Sequence, residues 1–138
     1  MPEVSEWNRA IVDEFRANGG KVGGQFQDAP MLLLHSVGAK SGEPRLHPMM
    51  YLADGDRWLV FASKAGAPDN PAWYHNLVAN PDASIEIGTE RIDVHATVLA
   101  GEERDRFYAE QARRYPGFAE YEAKTTRRIP VVALTRRA

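Results

Sequence analysis

Six short apolar segments, most of them joined by turns rather than by helices, constrain this chain more than any other feature. They are MLLLHSV, LHPMMYL, RWLVFAS, ASIEI, RIDVHATVL and IPVVALT. In the fifth, apolar residues at every second position from Ile92 to Val98 alternate with polar ones, which is the period of a strand with one buried face. Because the strand–helix–strand rhythm of a parallel sheet is missing, we expect about six antiparallel strands in a barrel or a strongly curled sheet.

Turn residues between these segments indicate which strands pair. Asp54-Gly55 is typical of a tight hairpin, so LHPMMYL is expected to pair with RWLVFAS. The turn GTE joins ASIEI to RIDVHATVL in another hairpin. Pro48 has no backbone N–H to donate, which predicts an edge position or a bulge for its strand.

An amphipathic helix is predicted at the N-terminus. Ser5 can cap it, and it should run to about Asn18, where Gly19-Gly20 ends it. Its apolar side chains predict packing against the core, with contact to a lipid surface or a partner as the alternative. These side chains are Trp7, Ile11, Val12 and Phe15.

Three further helices are predicted. Asn70-Pro71 places a capping side chain and a helix-starting proline before AWYHNLVA, and Asn80-Pro81 stops that helix. The other two are GEERDRFYAEQARRY and PGFAEYEAK. The chain, residues 1–138, is therefore expected to form one mainly β domain with flanking helices, of which residues 1–18 are the first.

Composition excludes several classes of function. The chain has no cysteine, which removes disulfides, thiolate metal sites and cysteine nucleophiles. Its four histidines have no zinc-site spacing, so no metal is expected, and a net charge of -2 argues against a nucleic-acid partner. No apolar run is long enough to span a membrane and no signal peptide is evident, so we expect a cytoplasmic protein.

The segment GAKSGEPR, from Gly38 to Arg45, is a candidate anion site. Its glycines allow successive backbone N–H groups to converge on one anion. Lys40 adds a point charge, Ser41 a hydroxyl donor and Arg45 a planar fork that suits phosphate or carboxylate. The alternative is a solvated turn with ordinary surface charge, and this segment alone does not decide between the two.

The segment ASKAGAPDNPAW again combines a serine, a lysine and small residues, at the end of another predicted strand. Ala62 and the small residues after Lys64 would let a flat ligand lie close to the backbone, while Ser63 and Lys64 supply polar contacts at its rim. Trp73 would form an aromatic wall of such a site, although taken alone this tryptophan is more typical of the core.

Three aromatic residues form the last candidate. Tyr115, Phe118 and Tyr121 are three residues apart, so they would share one side of a short helix, as a lid or as part of the core. Strongly reactive groups are otherwise missing from the sequence. If the protein is an enzyme, a bound cofactor is expected to carry the chemistry.

Taken together, these motifs resemble those of the deazaflavin-dependent nitroreductase and quinone reductase family of actinobacteria. The motifs are G-x-K-[ST]-G-x-P-R, A-S-K-x-G-A and N-P-x-W-Y, and the similarity covers nearly everything from about Gly19 on. This resemblance implies a split β-barrel like those that bind FMN, and an oxidoreductase that uses reduced coenzyme F420. It implies hydride transfer to a quinone, enone or nitroaromatic acceptor.

The resemblance also implies roles for matching residues. Lys40, Ser41 and Arg45 would hold the phosphate of the coenzyme and the start of its glutamate tail. Ser63, Tyr115 or Tyr121 would orient the acceptor or relay a proton. The residues lining the deazaflavin slot would be Pro48, Met50, Ala62, Ser63, Lys64 and Trp73.

Two positions depart from the family pattern. Ala39 stands where arginine is frequent, which would loosen the grip on phosphate. Phe118 stands where the nitroimidazole-activating member has a tyrosine, which leaves that activity open. An FMN-dependent barrel and a non-catalytic F420 carrier or sensor remain as alternative functions. The first helix could also contact a membrane peripherally to reach a quinone. The sequence does not indicate the oligomeric state.

Overall fold

The computed structural model describes residues 6–22, 30–66 and 69–137. Within these ranges it has four α-helices: α1 (Glu6–Ala17), α2 (Ala72–Ala79), α3 (Gly101–Arg114) and α4 (Gly117–Lys124). The same ranges contain seven strands and a 3-10 turn at Lys64–Gly66. The strands are β1 (Met31–Val37), β2 (Pro44–Met50), β3 (Leu52–Asp54), β4 (Arg57–Phe61), β5 (Asp82–Ile87), β6 (Glu90–Val98) and β7 (Val131–Arg136).

All seven described strands belong to one antiparallel sheet, in the order β2-β1-β5-β6-β7-β4-β3. Strands β2 and β3 stand at its opposite edges, yet only Tyr51 separates them along the chain. The two edges must therefore approach each other, which makes the sheet curl into a barrel-like layer. This confirms the antiparallel, curled architecture with flanking helices, with one strand more than the six expected.

The extra strand comes from the segment LHPMMYL, which is divided at Tyr51. Residues Pro44–Met50 pair with β1, and only Leu52–Asp54 pairs with β4. The expected pairing of the whole segment with RWLVFAS is therefore wrong, because a short turn folds β2 back onto β1 first. Pro48 does lie on an edge strand, as predicted, and Asp54-Gly55 does form the hairpin.

The inner face of the sheet forms the main core, which α2 closes with Trp73 and Leu77. A second cluster lies on the outer face, where α3 and α4 cover β4 and β7. A third lies where α1 covers β1 and β2. Met50 packs against both outer clusters and so links them.

Helix α1 is part of the folded domain. Its Ile11, Val12 and Phe15 are buried against β1 and β2, which confirms core packing for these residues. Ser5, the expected cap, lies outside the described residues, as does the side chain of Trp7. Among the helices that the structure describes, none is long and apolar enough to cross a membrane.

Candidate functional site

The turn between β1 and β2 brings two of the predicted anion-binding side chains together. The backbone N–H of Gly38 donates to the carbonyl of Glu43 at 2.8 Å and closes the turn. The hydroxyl of Ser41 accepts from the N–H of Glu43 and from Nη2 of Arg45, both at 3.2 Å. Lys40 is exposed beside them. The loop thus presents one hydroxyl and two cationic side chains to solvent.

Asn76 ties this turn to α2, a role that no sequence motif indicates. Its side chain is 6% exposed, and its Oδ1 accepts the backbone N–H of Ala39 at 2.9 Å. Its Nδ2 donates to Ser36 Oγ at 3.4 Å. A Cβ at Gly38 would lie 2.5 Å from Ser41 Oγ, so a larger residue there would displace the Ser41 hydroxyl. The main chain of the turn is held close to the barrel.

Arg45 also lines a groove of about 600 Å³ between α1 and the outer face of the sheet. Strands β1, β2, β5 and β6 contribute to its walls. Its charge is mixed, with arginines in excess over carboxylates. The charged residues are Arg9, Asp13, Arg16, Arg45, Asp82, Arg91, Asp93 and Arg137. Because these residues are spread along the whole chain, no local sequence pattern indicates this groove.

A hydrogen-bonded triad lies at this groove. Nε2 of His35 is 2.5 Å from Oε2 of Glu86, and Nη2 of Arg16 is 2.7 Å from the same oxygen. Burial lowers the pKa of His35, against the effect of its bond to Glu86. Burial alone would raise the pKa of Glu86, but hydrogen bonds from Arg16 and His35 outweigh it and lower that pKa. A neutral His35 therefore donates to an ionised Glu86, which also holds α1 to the sheet.

The second predicted loop begins at the end of β4. Ser63 is buried at 8% exposed, whereas Lys64 is exposed and its Nζ lies 3.2 Å from Oδ2 of Asp69. Lys64 has a φ of 47°, the one positive value among non-glycine residues in the described ranges. Such a backbone persists only where the surroundings hold it in place.

Arg127 bridges the two ends of this second loop. Its Nη1 donates to the carbonyl of Ala62 at 3.1 Å and to Oδ1 of Asn70 at 2.7 Å, and its Nη2 donates to the carbonyl of Ser63 at 2.9 Å. Asn70 was predicted to cap α2, and this is wrong. Pro71 occupies the capping position and makes no side-chain hydrogen bond to the helix. The amide oxygen of Asn70 accepts Nη1 of Arg127 instead.

Helix α4 lies directly against the second loop. A Cβ at Gly66 would be 2.9 Å from the carbonyl of Tyr121 and from Cβ of Lys124. Gly66 has a φ of 82°, so both its conformation and its surroundings require glycine. This contact places the helix that carries Tyr121 beside the loop that carries Ser63 and Lys64.

The three predicted lid aromatics do not share one helix. Helix α4 begins at Gly117, so Tyr115 precedes it, at the end of α3. Phe118 is 8% exposed and packs edge to face on Phe61, which confirms the core alternative for this residue. Tyr115 and Tyr121 are partly buried at the margin of the same cluster.

Tyr108 is a buried member of that cluster, and no sequence motif marks it. Its hydroxyl donates to the carbonyl of Phe118 at 2.6 Å. Burial, with a further effect of Glu122, raises the pKa of Tyr108 to about 12. Its proton is therefore held firmly, and Tyr108 anchors the start of α4.

The predicted ring-slot residues lie on both faces of the sheet. Trp73 is 7% exposed and packs with Ala62 in the inner core, which favours the core alternative for the indole. Met49 faces that inner core, whereas Met50 packs in the two outer clusters. Pro48 lies two positions before Met50 on β2 and therefore shares its face. Only part of the predicted set is therefore brought together.

Across the described residues, no three His, Asp or Glu side chains are grouped as metal ligands would be.

Residues 7–136 match the sequence model of the family described as F420H(2)-dependent quinone reductase. The chain is 42% identical over 132 residues to the F420H(2)-dependent quinone reductase of Mycobacterium tuberculosis strain H37Rv. That match covers 89% of this chain and 85% of the relative.

Two solved structures extend the similarity to the fold. One is described as an F420-H2 dependent reductase, with a TM-score of 0.69 and 40% identity over 76% of this chain and 93% of its own. The other is described as a domain-swapped dimer, with a TM-score of 0.72 and 36% identity over 94% of this chain and 97% of its own. The curled sheet and its helices are therefore shared with proteins of similar sequence.

Proposed function

Because the chain belongs to the F420H(2)-dependent quinone reductase family, we propose that it transfers a hydride from reduced coenzyme F420 to a quinone-type acceptor. The observation that carries this proposal is the pair of lysine-bearing loops, each fixed by contacts to another part of the chain. When bound, the reduced coenzyme supplies the hydride, and the protein has to hold it and orient the acceptor.

The donor set of the first loop fits the phosphate of the coenzyme. Lys40, Ser41 and Arg45 offer an ammonium, a hydroxyl and a planar guanidinium, which are the groups that bind a phosphate dianion best. Arg45 also lines the groove beside α1, where Arg9 and Arg91 could bind further carboxylates of the glutamate tail. Ala39 adds no charge here, so the phosphate is gripped by fewer cations than in family members with arginine.

The second loop fits the edge of the deazaflavin. Lys64 extends into solvent from a fixed, left-handed main chain, with Ala62 buried beneath it and Gly66 covered by α4. Pro48 and Met50 would reach the ring from β2, whereas Trp73 supports the loop from the core. Ser63 contributes a hydroxyl at the buried end of the loop.

The acceptor would lie between the second loop and α4. Tyr121 and Tyr115 would present partly apolar surfaces and hydroxyl groups to it, and one of them or Ser63 would direct or pass on the proton that follows the hydride. Phe118 contributes packing only. Enones and nitroaromatics share the conjugated, electron-poor character of quinones, so we include them as acceptors to be tested.

We propose a cytoplasmic location. Contact with the inner face of a membrane would suit a quinone acceptor, but Ile11, Val12 and Phe15 do not support it because they are buried. Other residues of the chain would have to supply that contact.

The deciding experiment removes the cations of the first loop. Wild-type protein should bind the coenzyme in a fluorescence titration and oxidise its reduced form when menadione is added. Lys40→Ala combined with Arg45→Ala should weaken binding by about a hundredfold or more, since each charged hydrogen bond contributes about 1.5–3 kcal/mol. The loss should shrink at high salt, where the wild-type attraction is already screened.

A matched control removes two exposed arginines elsewhere, with Arg106→Ala and Arg136→Ala. This variant should keep the wild-type affinity. Equal affinity of the Lys40/Arg45 variant and wild type would refute the phosphate assignment. Copurified FMN, visible by its absorbance, would favour the FMN alternative, and coenzyme binding without turnover of any acceptor would favour the carrier. Sedimentation of the same samples determines whether this chain forms a dimer.

A further inference from the structure

The second loop owes its shape to a residue far away in the sequence, and this residue has no part in the motifs of the site. Arg127 lies 57 positions after Asn70 and 65 after Ala62, yet its guanidinium bonds to both. The two bonded positions flank Ser63 and Lys64 on either side. One planar side chain therefore closes the base of the loop.

The carbonyl of Ser63 is the centre of this arrangement. It accepts Nη2 of Arg127 at 2.9 Å and also the backbone N–H of Gly66 at 2.9 Å, which closes the 3-10 turn. Alongside, the N–H of Ala62 donates to the carbonyl of Pro130 at 3.0 Å. The main chain before Lys64 is thus fixed from two directions by the segment that leads into β7.

Lys64 shows why such support is needed. Its positive φ is unfavourable for a residue with a side chain, so the loop would relax to another shape if its neighbours allowed it. Charged hydrogen bonds to carbonyl oxygens are stronger than neutral ones, and a guanidinium can make several at fixed angles. Arg127 has the right chemistry and position to hold this backbone.

We propose that Arg127 is a positioning residue for the coenzyme site, acting through the backbone of Ala62 and Ser63 to hold Lys64 in its binding conformation. The inference rests on the proposed coenzyme site. The neighbouring Arg128 makes a useful contrast, since it is exposed and bonds to Asp105 and to the carbonyl of Gly101, on α3.

One arm of the test needs no coenzyme. Trypsin cleaves after lysine, and cleavage of a folded protein reports local opening of the chain. Arg127→Ala should raise the rate of cleavage after Lys64 about tenfold or more, measured by mass spectrometry, whereas Arg128→Ala should leave it at the wild-type rate. An unchanged rate in Arg127→Ala overturns the proposed support of the loop.

The other arm measures the coenzyme. Arg127→Ala should raise the KM for the reduced coenzyme by about tenfold, with a smaller change in kcat, and Arg128→Ala should not. Added guanidinium, at a concentration that does not unfold the protein, should restore binding to Arg127→Ala better than ammonium does, because only the planar fork reproduces the three bonds. A purely structural loss would not be rescued in this selective way.

Arg127→Lys keeps the charge without the fork and should lie between wild type and Arg127→Ala in both arms; it also replaces Arg127→Ala if that variant fails to fold. Faster cleavage with unchanged coenzyme affinity overturns the positioning role. If the wild-type protein itself binds no coenzyme, the proposed function fails, and the cleavage rates still decide whether Arg127 holds the loop.

Discussion

The loops Gly38–Arg45 and Ala62–Asn70 each contain a serine, a lysine, an alanine, a glycine and a proline. In the first, Gly38 bonds to Glu43, and Ser41 bonds to Glu43 and Arg45, so most of the described contacts stay within a few positions. In the second, Arg127 and α4 supply the contacts from the other end of the chain. Similar residues are thus held mainly by local contacts in the first loop, with Asn76 as its distant partner, and mainly by distant contacts in the second.

This difference teaches how each loop can fail. A hairpin turn that closes on itself can shift slightly without disturbing the barrel, and its charges remain in solvent. A loop held by distant segments depends on the packing of those segments, so a change in α4 reaches Lys64. We therefore expect substitutions in the second loop to affect stability and those in the first to affect mainly binding.

The largest effect is expected when an equivalent methyl group is added to each loop. Gly66→Ala places a Cβ within 2.9 Å of the Tyr121 carbonyl at a φ of 82°, and strain together with overpacking should cost about 2–5 kcal/mol of unfolding free energy. Gly42→Ala also has a positive φ, 70°, but no atom within 4 Å, so it should cost only about 1–2 kcal/mol. Urea unfolding of both variants measures the difference.

An equal loss of unfolding free energy in the two glycine variants would contradict the proposed difference between the loops. In that case backbone conformation alone would set the cost, and the contact of α4 with Gly66 would contribute nothing. A larger loss in Gly66→Ala should be accompanied by changed tyrosine fluorescence, because Tyr121 lies on the helix that must move.

A medium effect is expected from Asn76, the tie between the first loop and α2. Asn76→Ala removes the acceptor for the Ala39 N–H and leaves Ser36 without its amide donor, which should cost about 1–3 kcal/mol. Asn80→Ala, at an exposed asparagine after the same helix, should change stability by less than about 0.5 kcal/mol. Coenzyme titration of both variants then shows whether this tie also shapes the phosphate site.

If Asn76→Ala keeps the wild-type stability, the first loop is held by its own turn alone and the contrast between the loops becomes sharper. If it weakens binding as well, the two loops are coupled through α2, which only Pro71 separates from the end of the second loop. The two outcomes are separated by measuring unfolding and binding on the same preparations.

Local chemistry explains what the sequence could predict. The alternation in β6, the Asp54-Gly55 hairpin and the apolar face of α1 all act over a few residues, so they were visible as patterns. The pairing of β2 was not visible as a pattern, because the same apolar run is compatible with a turn back onto β1 and with a hairpin to β4. Asn76 and Arg127 were also out of reach, since an asparagine or arginine carries no mark of a partner 37 or 65 positions away.

The motifs pointed to two loops but did not show which face of the sheet each predicted residue occupies. Trp73 and Met50 read as one slot in the sequence, yet strand alternation and the bend at Tyr51 set them on different faces of the sheet. The groove beside Arg45 could not be anticipated either, because it exists only once α1 packs across β1. Contacts within one loop could therefore be anticipated from the sequence, and contacts assembled across elements could not.

The smallest effect, and the one that sets the first loop apart most clearly, is a dependence on pH. His35 and His47 lie on β1 and β2, and burial lowers the pKa of both, with Arg91 and Arg45 adding to the effect, respectively. The unfolded chain then binds more protons than the folded one as pH falls through about 6.5, so stability must decrease there. Below about 4.5, protonation of Glu86 removes a further contribution, since its folded pKa is lowered.

Hydrogen exchange at pH 7 and pH 5, corrected for intrinsic rates, measures where this loss falls. Protection should decrease in α1 and β1, next to the Arg16–Glu86–His35 triad, more than in the segment bridged by Arg127. His35→Gln can still donate to Glu86 but does not titrate, so it should reduce the loss, and His47 should account for part of what remains. The loss of protection between pH 7 and pH 5 could instead be equal in both regions, or unchanged in His35→Gln. Either result would mean that the buried histidines do not set the acid sensitivity of the groove. The two loops would then differ only in their supporting contacts.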